Sequence, residues 1–175
     1  RLTDKDGHAR TAMLIYADNN NHLGTDAAAV QHDHSAMCKS LNRLNLDTHE
    51  HMDAATLAES LGVRVDGLSG RVGPSAARDW RLDEALRALE AQPFITGAEL
   101  QVIAGHLTVR ALLNRSLMAV LRHVYTFVET HYNERVRLWP CVAHELWLFR
   151  CLMPLAIADL RLQYDSTLLC TDASK

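Results

Sequence analysis

The sequence predicts an α+β fold with a strand-rich first part, a helical middle part and a single strand near the end. Short apolar runs bounded by turn residues occupy positions 11–73, and apolar residues at helical spacing occupy 74–160. An isolated strand-like run follows at 166–171. A lone terminal strand forms no sheet by itself, so the pattern favours a cut through a following domain.

The composition is that of a globular chain. The 175 residues are 48% hydrophobic and 22% charged, which excludes wholesale disorder. No stretch of about 18 apolar residues and no signal peptide is present, so we expect no membrane span and a cytoplasmic or nuclear location. Four cysteines lack any CxxC spacing and are predicted to be buried or free thiols in a reducing compartment, not a disulfide scaffold. The start at Arg1 suggests a piece of a longer protein.

The net charge of −3 argues against a dedicated nucleic-acid binder when taken alone. Its distribution weakens that argument. Residues 1–60 carry a net charge of −4, whereas residues 61–175 carry +1 and most of the arginines. Arginine favours bidentate contacts, including those to phosphate, although arginine richness also arises from base composition alone.

The first elements are predicted from turn and capping residues. An apolar run over 11–17, a turn over 18–21 and a return strand over 22–24 predict a β-hairpin with an Asp/Asn tip. Thr25 is the expected N-cap of a helix over 26–43. A strand is predicted over 44–50.

A second hairpin and four helices complete the prediction. A strand over 61–66 and a turn over 67–70 precede a return strand over 71–73. Helices are then expected over 75–91, after the capping box of Thr96 and Glu99, over 115–132 and over 138–153. Their inward residues are listed here: Leu82, Leu86, Leu89; Leu100, Ile103, Leu107, Ala111; Leu117, Val120, Val124, Phe127; Val142, Leu146, Phe149, Met153.

The tip of the first hairpin is the strongest candidate for chemistry. The segment reads Tyr16-Ala17-Asp18-Asn19, which places a carboxylate at a tight turn between apolar strands. Mg²⁺ takes such oxygen ligands together with substrate phosphates. Asp-Asn is also a good turn former without any function, and the tetrapeptide alone favours that interpretation.

The order of several short motifs resembles retroelement reverse transcriptases of the gypsy-like or DIRS type. The tip is similar to their aromatic-x-Asp-Asp hairpin, and Leu61-Gly62-Val63 to the hairpin that grips the primer end. The segment 96–108 resembles the thumb or connection, and 170–174 the first strand of ribonuclease H. The resemblance covers about residues 12–174.

This resemblance implies a function for the parent protein. It implies RNA-directed DNA polymerisation, with an RNA/DNA template-primer and dNTP as partners and Mg²⁺ (or Mn²⁺) as cofactor. Asp18 and Asp172 are the implied metal ligands, and Asp18, Asn19 and Asp172 the implied catalytic residues. The implied primer grip consists of Leu61, Gly62 and Val63.

The resemblance also implies three segments. Residues 1–73 correspond to a partial palm with the catalytic and primer-grip hairpins. Residues 74–160 correspond to a helical thumb or connection, and 161–175 to the start of a truncated ribonuclease H-like domain.

Arg78, Arg81 and Arg87 are candidate contacts to the nucleic-acid backbone, since they share one predicted helix. Acidic residues alternate with them. A solvated face with i,i+4 ion pairs is therefore the favoured interpretation of this helix.

The chain departs from the family pattern in two ways. Asn19 stands where a second Asp is common, and the other palm and ribonuclease H carboxylates are expected beyond the ends of the chain. We therefore expect this chain to be inactive by itself. The alternative is a non-enzymatic helical interaction module derived from a decayed element.

Histidine pairs suggest a weaker, metal-dependent hydrolase alternative. His32 and His34 form one pair, and His49 and His51 the other. Residues i and i+2 of a helix do not share a face, and the sequence gives no cysteine partner at recognised metal spacing. Structural or surface histidines are therefore the favoured interpretation.

Overall fold

The structure, a computed structural model, describes residues 11–16, 19–91 and 94–162. Its described residues form an α+β fold, as predicted. The chain divides into two compact units, residues 1–60 and 61–175, each described separately below.

The first unit begins with an antiparallel hairpin. Strand β1 (Thr11–Tyr16) pairs with β2 (Asn19–Gly24) in a register that runs from Thr11 opposite Gly24 to Tyr16 opposite Asn19. The predicted hairpin is confirmed, and the two residues that link its strands lie outside the described residues.

Helix α1 (Ala27–Arg43) follows the hairpin and packs against it. Its N-cap is Asp26, not the predicted Thr25. The Asp26 carboxylate accepts hydrogen bonds from the amides of Ala28 and Ala29, at 2.8 and 3.2 Å. Aspartate is the better cap here because its oxygen also carries a charge that favours the positive end of the helix.

The strand predicted over 44–50 is wrong, because the end of α1 takes up its first residues. The Leu46 amide donates to the Leu41 carbonyl at 3.0 Å, and the Asn45 amide donates to Asn42 at 3.1 Å. Asn45 has a φ of 57°. These contacts form a Schellman motif, which turns the chain instead of extending it. The unit ends in strand β3 (Leu57–Ser60).

The second unit opens with a small antiparallel sheet. Strands β4 (Val63–Asp66) and β5 (Arg71–Pro74) form the predicted second hairpin, with Asp66 opposite Arg71. The first strand begins two residues later than predicted, since Leu61 and Gly62 are turn residues with φ values of 54° and 73°.

The helical part has the expected order but a different third helix. The residues predicted as one helix over 115–132 form a 3₁₀ turn (Arg115–Val120) and then a separate helix, α4 (Arg122–Thr130). The break has a tertiary cause. The Glu145 carboxylate accepts from the amides of His123 and Val124, at 3.0 and 2.9 Å, and so caps a separate helix. The elements after β5 are α2 (Ala76–Ala91), β6 (Phe94–Ile95), α3 (Gly97–Ala111), α4 (Arg122–Thr130), β7 (Val136–Arg137), α5 (Pro140–Leu152) and β8 (Ala158–Asp159).

Three very short strands were not predicted. Strand β6 pairs with β7, and β8 pairs with the edge of β5. The predicted strand over 166–171 lies outside the described residues.

Among the residues whose burial the structure describes, the hydrophobic core lies wholly in the second unit. None of those in the first unit is buried, whereas the helices of the second unit bury most of their predicted apolar stripes. Phe127 and Phe149 are the largest side chains without solvent exposure. The buried apolar residues are Leu82, Leu86, Ile95, Leu100, Ala104, Leu107, Ala111, Leu117, Leu121, Val124, Phe127, Val128, Leu138, Val142, Leu146, Phe149, Met153 and Ala156.

Helix α3 starts against the end of α4. The predicted capping box is present, with the Thr96 hydroxyl accepting from the Glu99 amide and the Glu99 carboxylate accepting from the Thr96 amide. The next two amides, of Gly97 and Ala98, donate to the carbonyls of His131 and Tyr132 at 2.7 and 2.9 Å. The first amides of α3 are thus satisfied without water.

None of the described helices is long and apolar enough to cross a lipid bilayer. The segment boundaries that the polymerase resemblance implies stay predictions. The strands over 63–74, which that resemblance assigns to the palm, belong to the same compact unit as the helices that follow them.

Candidate functional site

The hairpin expected to carry the catalytic carboxylate closes at the Tyr16–Asn19 pair. Asn19 is the first residue of β2 and is exposed. Asp18 and Asp172 both lie outside the described residues, so the two implied metal ligands stay predictions.

The implied primer grip lies at a tight turn. Leu61 and Gly62 both adopt positive φ between β3 and β4, and Val63 is the first residue of β4. The Gly62 carbonyl accepts from the Ser75 amide at 3.0 Å. The absence of a side chain at position 62 leaves room that the Arg78 guanidinium occupies. The structure therefore brings together one primer-grip residue and one of the three candidate arginines.

The three candidate arginines differ in their surroundings, although all lie on α2 and are exposed. The Nε of Arg87 donates to Asp83 at 2.7 Å, four residues earlier. That bond raises the pKa of the Arg87 guanidinium and is the i,i+4 pair that the sequence favours. Arg78 instead lies over Gly62.

A small cleft adjoins this turn, lined among others by Gly62, Arg78, Asp79, His106 and Arg110. Its volume is about 40 Å³, which holds about one water molecule. Such a cleft is too small for a nucleotide or an organic substrate, so any nucleic-acid contact here takes place on the surface.

A cluster of metal-ligating side chains lies in the first unit. His34 and Cys38 are four residues apart on α1, and His51 reaches them from the segment after the helix. The Cys38 Sγ lies 3.7 Å from the His34 Nε2 and 3.7 Å from the His51 Nδ1. Each of the three side chains thus offers one donor atom, and all three atoms lie within 4.8 Å of one another. We call these residues the His/Cys cluster.

The second ring nitrogen of His51 is held away from the cluster. The His51 Nε2 lies 3.1 Å from the Thr48 hydroxyl and 3.2 Å from the Thr48 carbonyl. The carbonyl only accepts, so this contact favours the tautomer with the proton on Nε2. The Nδ1 lone pair is then directed toward Cys38.

A third histidine, His22, borders the cluster. The His22 ring lies edge-on to His34, with centroids 5.4 Å apart, and the His51 ring lies 5.7 Å from His34. Both ring nitrogens of His22 are shielded from solvent and have no hydrogen-bond partner among the described residues. Burial, followed by the charges of His22 and His51, lowers the pKa of the His34 imidazole, which favours its neutral form.

The structure places one histidine of each predicted pair in the cluster and the other outside it. His32 is exposed and lies outside the cluster, as the i,i+2 argument predicts, and His49 is exposed as well. The statement that no cysteine stands at metal spacing is wrong. Cys38 is at i+4 from His34, a spacing that puts both side chains on one helix face and was visible in the sequence. The approach of His51 was not visible, because it depends on the turn at Asn45.

The cysteines agree with the prediction of free thiols wherever they are described. Cys38, Cys141 and Cys151 are unpaired, and Cys170 lies outside the described residues. Cys141 and Cys151 are exposed on α5 in the second unit.

The chain was compared with protein-family models, curated proteins and solved structures, and none of them matches it.

Proposed function

We propose that this chain is the palm and thumb segment of a retroelement reverse transcriptase, whose parent protein copies RNA into DNA. The observation that carries the proposal is the β1–β2 hairpin. Its register closes at Tyr16 and Asn19 and leaves a two-residue link that contains Asp18, with α1 packed behind it. The aromatic-x-Asp-Asp resemblance requires a hairpin backed by a helix, with the first aspartate in the link between the two strands.

The donor atoms of this hairpin suit Mg²⁺. Asp18 supplies a carboxylate and Asn19 an amide oxygen, and both are the hard ligands that this ion prefers. Bound Mg²⁺ supplies Lewis-acid stabilisation of the triphosphate and of the primer hydroxyl. Asn19 carries no charge, so we expect it to bind the metal more weakly than an aspartate at the same position would. Asp172 has the corresponding role in the ribonuclease H segment.

The turn at Leu61 and Gly62 supports a surface for the template-primer. The Arg78 guanidinium lies over Gly62, in the space that a side chain at position 62 would fill, and so presents a positive charge at this turn. Arg81 follows Arg78 by three residues on α2, whereas Arg87 lies about 180° around the helix from Arg78 and is paired with Asp83. Such contacts hold a duplex without reading its sequence.

Primer extension tests the catalytic part of the proposal. The segment is joined to the fingers and upstream palm of a related element, and Asp18→Ala is compared with Asn19→Asp. We expect Asp18→Ala to abolish extension and Asn19→Asp to retain or raise it. If primer extension persists in the Asp18→Ala variant, Asp18 is only a turn residue and not a catalytic one.

Duplex binding by the 175-residue chain tests the thumb part separately. We expect Arg78→Ala to weaken binding of an RNA/DNA duplex and to lower the salt dependence by about one counterion. Arg87→Ala is the matched control, because its guanidinium is already paired, and we expect a smaller effect. If the two substitutions weaken duplex binding equally, Arg78 is not a specific contact to the duplex.

A non-enzymatic interaction module is the second candidate, favoured by where the core lies. All buried apolar residues in the described part of the chain fall between Leu82 and Ala156, so the helical part has a core of its own. A fragment of residues 61–162 that folds and binds a protein partner, but no duplex, would favour this candidate.

A further inference from the structure

We propose that the His/Cys cluster is a zinc site, with the His34 Nε2, the Cys38 Sγ and the His51 Nδ1 as ligands. This inference is independent of the proposed polymerase function, because none of the three ligands is among the implied catalytic, primer-grip or backbone-contact residues. Cysteine sulfur with imidazole nitrogen is the donor set that selects Zn²⁺ over the hard cations.

The distances within the cluster match tetrahedral zinc. Bonds of about 2.1 Å to nitrogen and about 2.3 Å to sulfur, at tetrahedral angles, place the two ligand atoms about 3.6 Å apart. Both nitrogens lie 3.7 Å from the Cys38 Sγ. The sulfur therefore has the correct spacing to both imidazoles, and the two nitrogens, which lie within 4.8 Å of each other, would move to about 3.4 Å apart when the ion binds.

The cluster also has the outer contact that zinc-bound histidines usually make. A metal-bound imidazole typically donates its other N–H to a carbonyl or carboxylate, which fixes the ring and its tautomer. The His51 Nε2 makes this contact with Thr48, so the Nδ1 lone pair faces Cys38. The ring is positioned for metal by a residue that is not itself a ligand.

A three-residue set leaves a fourth position. Its occupant is a water molecule or the His22 imidazole, whose ring nitrogens lack a partner among the described residues and whose ring adjoins His34. The ion would tie α1 to the segment that follows Asn45. This unit has no buried apolar residue among those described, so a metal link is an effective way to order it.

Zinc and cobalt titrations of the purified 175-residue chain test the proposal. We expect one Zn²⁺ per chain, a higher melting temperature with zinc, and a thiolate-to-metal charge-transfer absorption with Co²⁺. Cys38→Ser should abolish that absorption and weaken zinc binding by more than about tenfold. His51→Ala should weaken zinc binding similarly, and it lies outside the helix, so it tests the site without altering α1.

The controls use residues of the same type elsewhere in the chain. Cys141→Ser and His32→Ala should leave the stoichiometry, the affinity and the cobalt spectrum unchanged. His22→Ala identifies the fourth ligand. A changed cobalt spectrum means that His22 is a ligand, and an unchanged spectrum means that water fills the fourth position. Circular dichroism in chelator verifies that each variant is folded. Wild-type zinc affinity in a folded Cys38→Ser or His51→Ala variant, or loss of binding in Cys141→Ser, would overturn the proposal, as would a wild-type chain that binds no zinc.

Discussion

The Arg110 Nε lies 2.8 Å from the Asp79 Oδ1, and this ion pair joins α3 to α2 inside the second unit. Arg110 is 6% exposed, and its guanidinium also donates to the carbonyls of Met153 and Ala156 after α5. Burial lowers the pKa of the guanidinium, and the Asp79 charge opposes that effect. One side chain thus connects three elements of the unit.

Replacement of Arg110 by leucine should be strongly destabilising. It leaves two carbonyls without their donor and Asp79 without its cation, for a loss of about 3–5 kcal/mol in the free energy of unfolding. Urea denaturation measures this loss. Arg115→Gln, at an exposed site on the 3₁₀ turn, is the control and should stay within about 0.5 kcal/mol of wild type. Equal stability of the two variants would mean that the Arg110 contacts contribute nothing.

Two glycines of α3 should respond to alanine in opposite ways. A Cβ at Gly97 would lie 2.5 Å from the Val128 carbonyl oxygen and 2.8 Å from the Tyr132 Cα, whereas a Cβ at Gly105 meets nothing within 4 Å. We expect Gly97→Ala to lose about 1–3 kcal/mol by overpacking. Gly105→Ala should gain about 0.5–1 kcal/mol from helix propensity. Denaturation midpoints of the pair measure both effects, and a neutral Gly97→Ala would contradict the packing of α3 on α4.

The helices of the second unit were predictable because local and tertiary signals agree there. The stripe of Leu100, Leu107 and Ala111 is buried, and the capping box before it forms as expected. The third helix was not predictable as two pieces. Its break depends on Glu145, a residue of another helix whose approach leaves no mark in the local sequence.

Contacts distant in sequence also limited the prediction of the sites. The strands β6, β7 and β8 have two residues each, too few for any periodicity to appear. In the His/Cys cluster, His34 and Cys38 are close in sequence and their proximity follows from helix spacing. His51 approaches them only because the chain turns at Asn45. The polymerase motifs are short segments whose order, not their local structure, carries the resemblance.

The turn before β4 should be improved by asparagine. Leu61 has a φ of 54°, a left-handed conformation that costs a branched, non-glycine residue about 1–2 kcal/mol, and its side chain is exposed. Asparagine tolerates this conformation and is the preferred first residue of such turns before glycine. We expect Leu61→Asn to raise the unfolding free energy by about 1 kcal/mol. Gly62→Ala is the opposite test and should be destabilising, because its φ of 73° disfavours any side chain. Thermal denaturation that ranks the two variants the other way would contradict the turn geometry.

The capping box of α3 should make stability depend on acid. Hydrogen bonds from Thr96, with a smaller contribution from Arg135, lower the pKa of the Glu99 carboxyl in the folded chain. A folded-state pKa below the unfolded value of about 4.3 stabilises the protein at higher pH, and this stabilisation is lost as the pH falls through the folded-state pKa. Glu99→Gln keeps an acceptor for the Thr96 amide but removes the titration. We therefore expect the stability difference between wild type and Glu99→Gln, measured by urea denaturation, to shrink as the pH falls below about 4.3.

Thr96→Ala loses the hydroxyl contact but keeps the backbone bond to Glu99, so it should be less stable by about 0.5–2 kcal/mol yet retain most of the pH dependence. A difference for Glu99→Gln that does not change with pH would show that the box does not hold the carboxylate in its charged form.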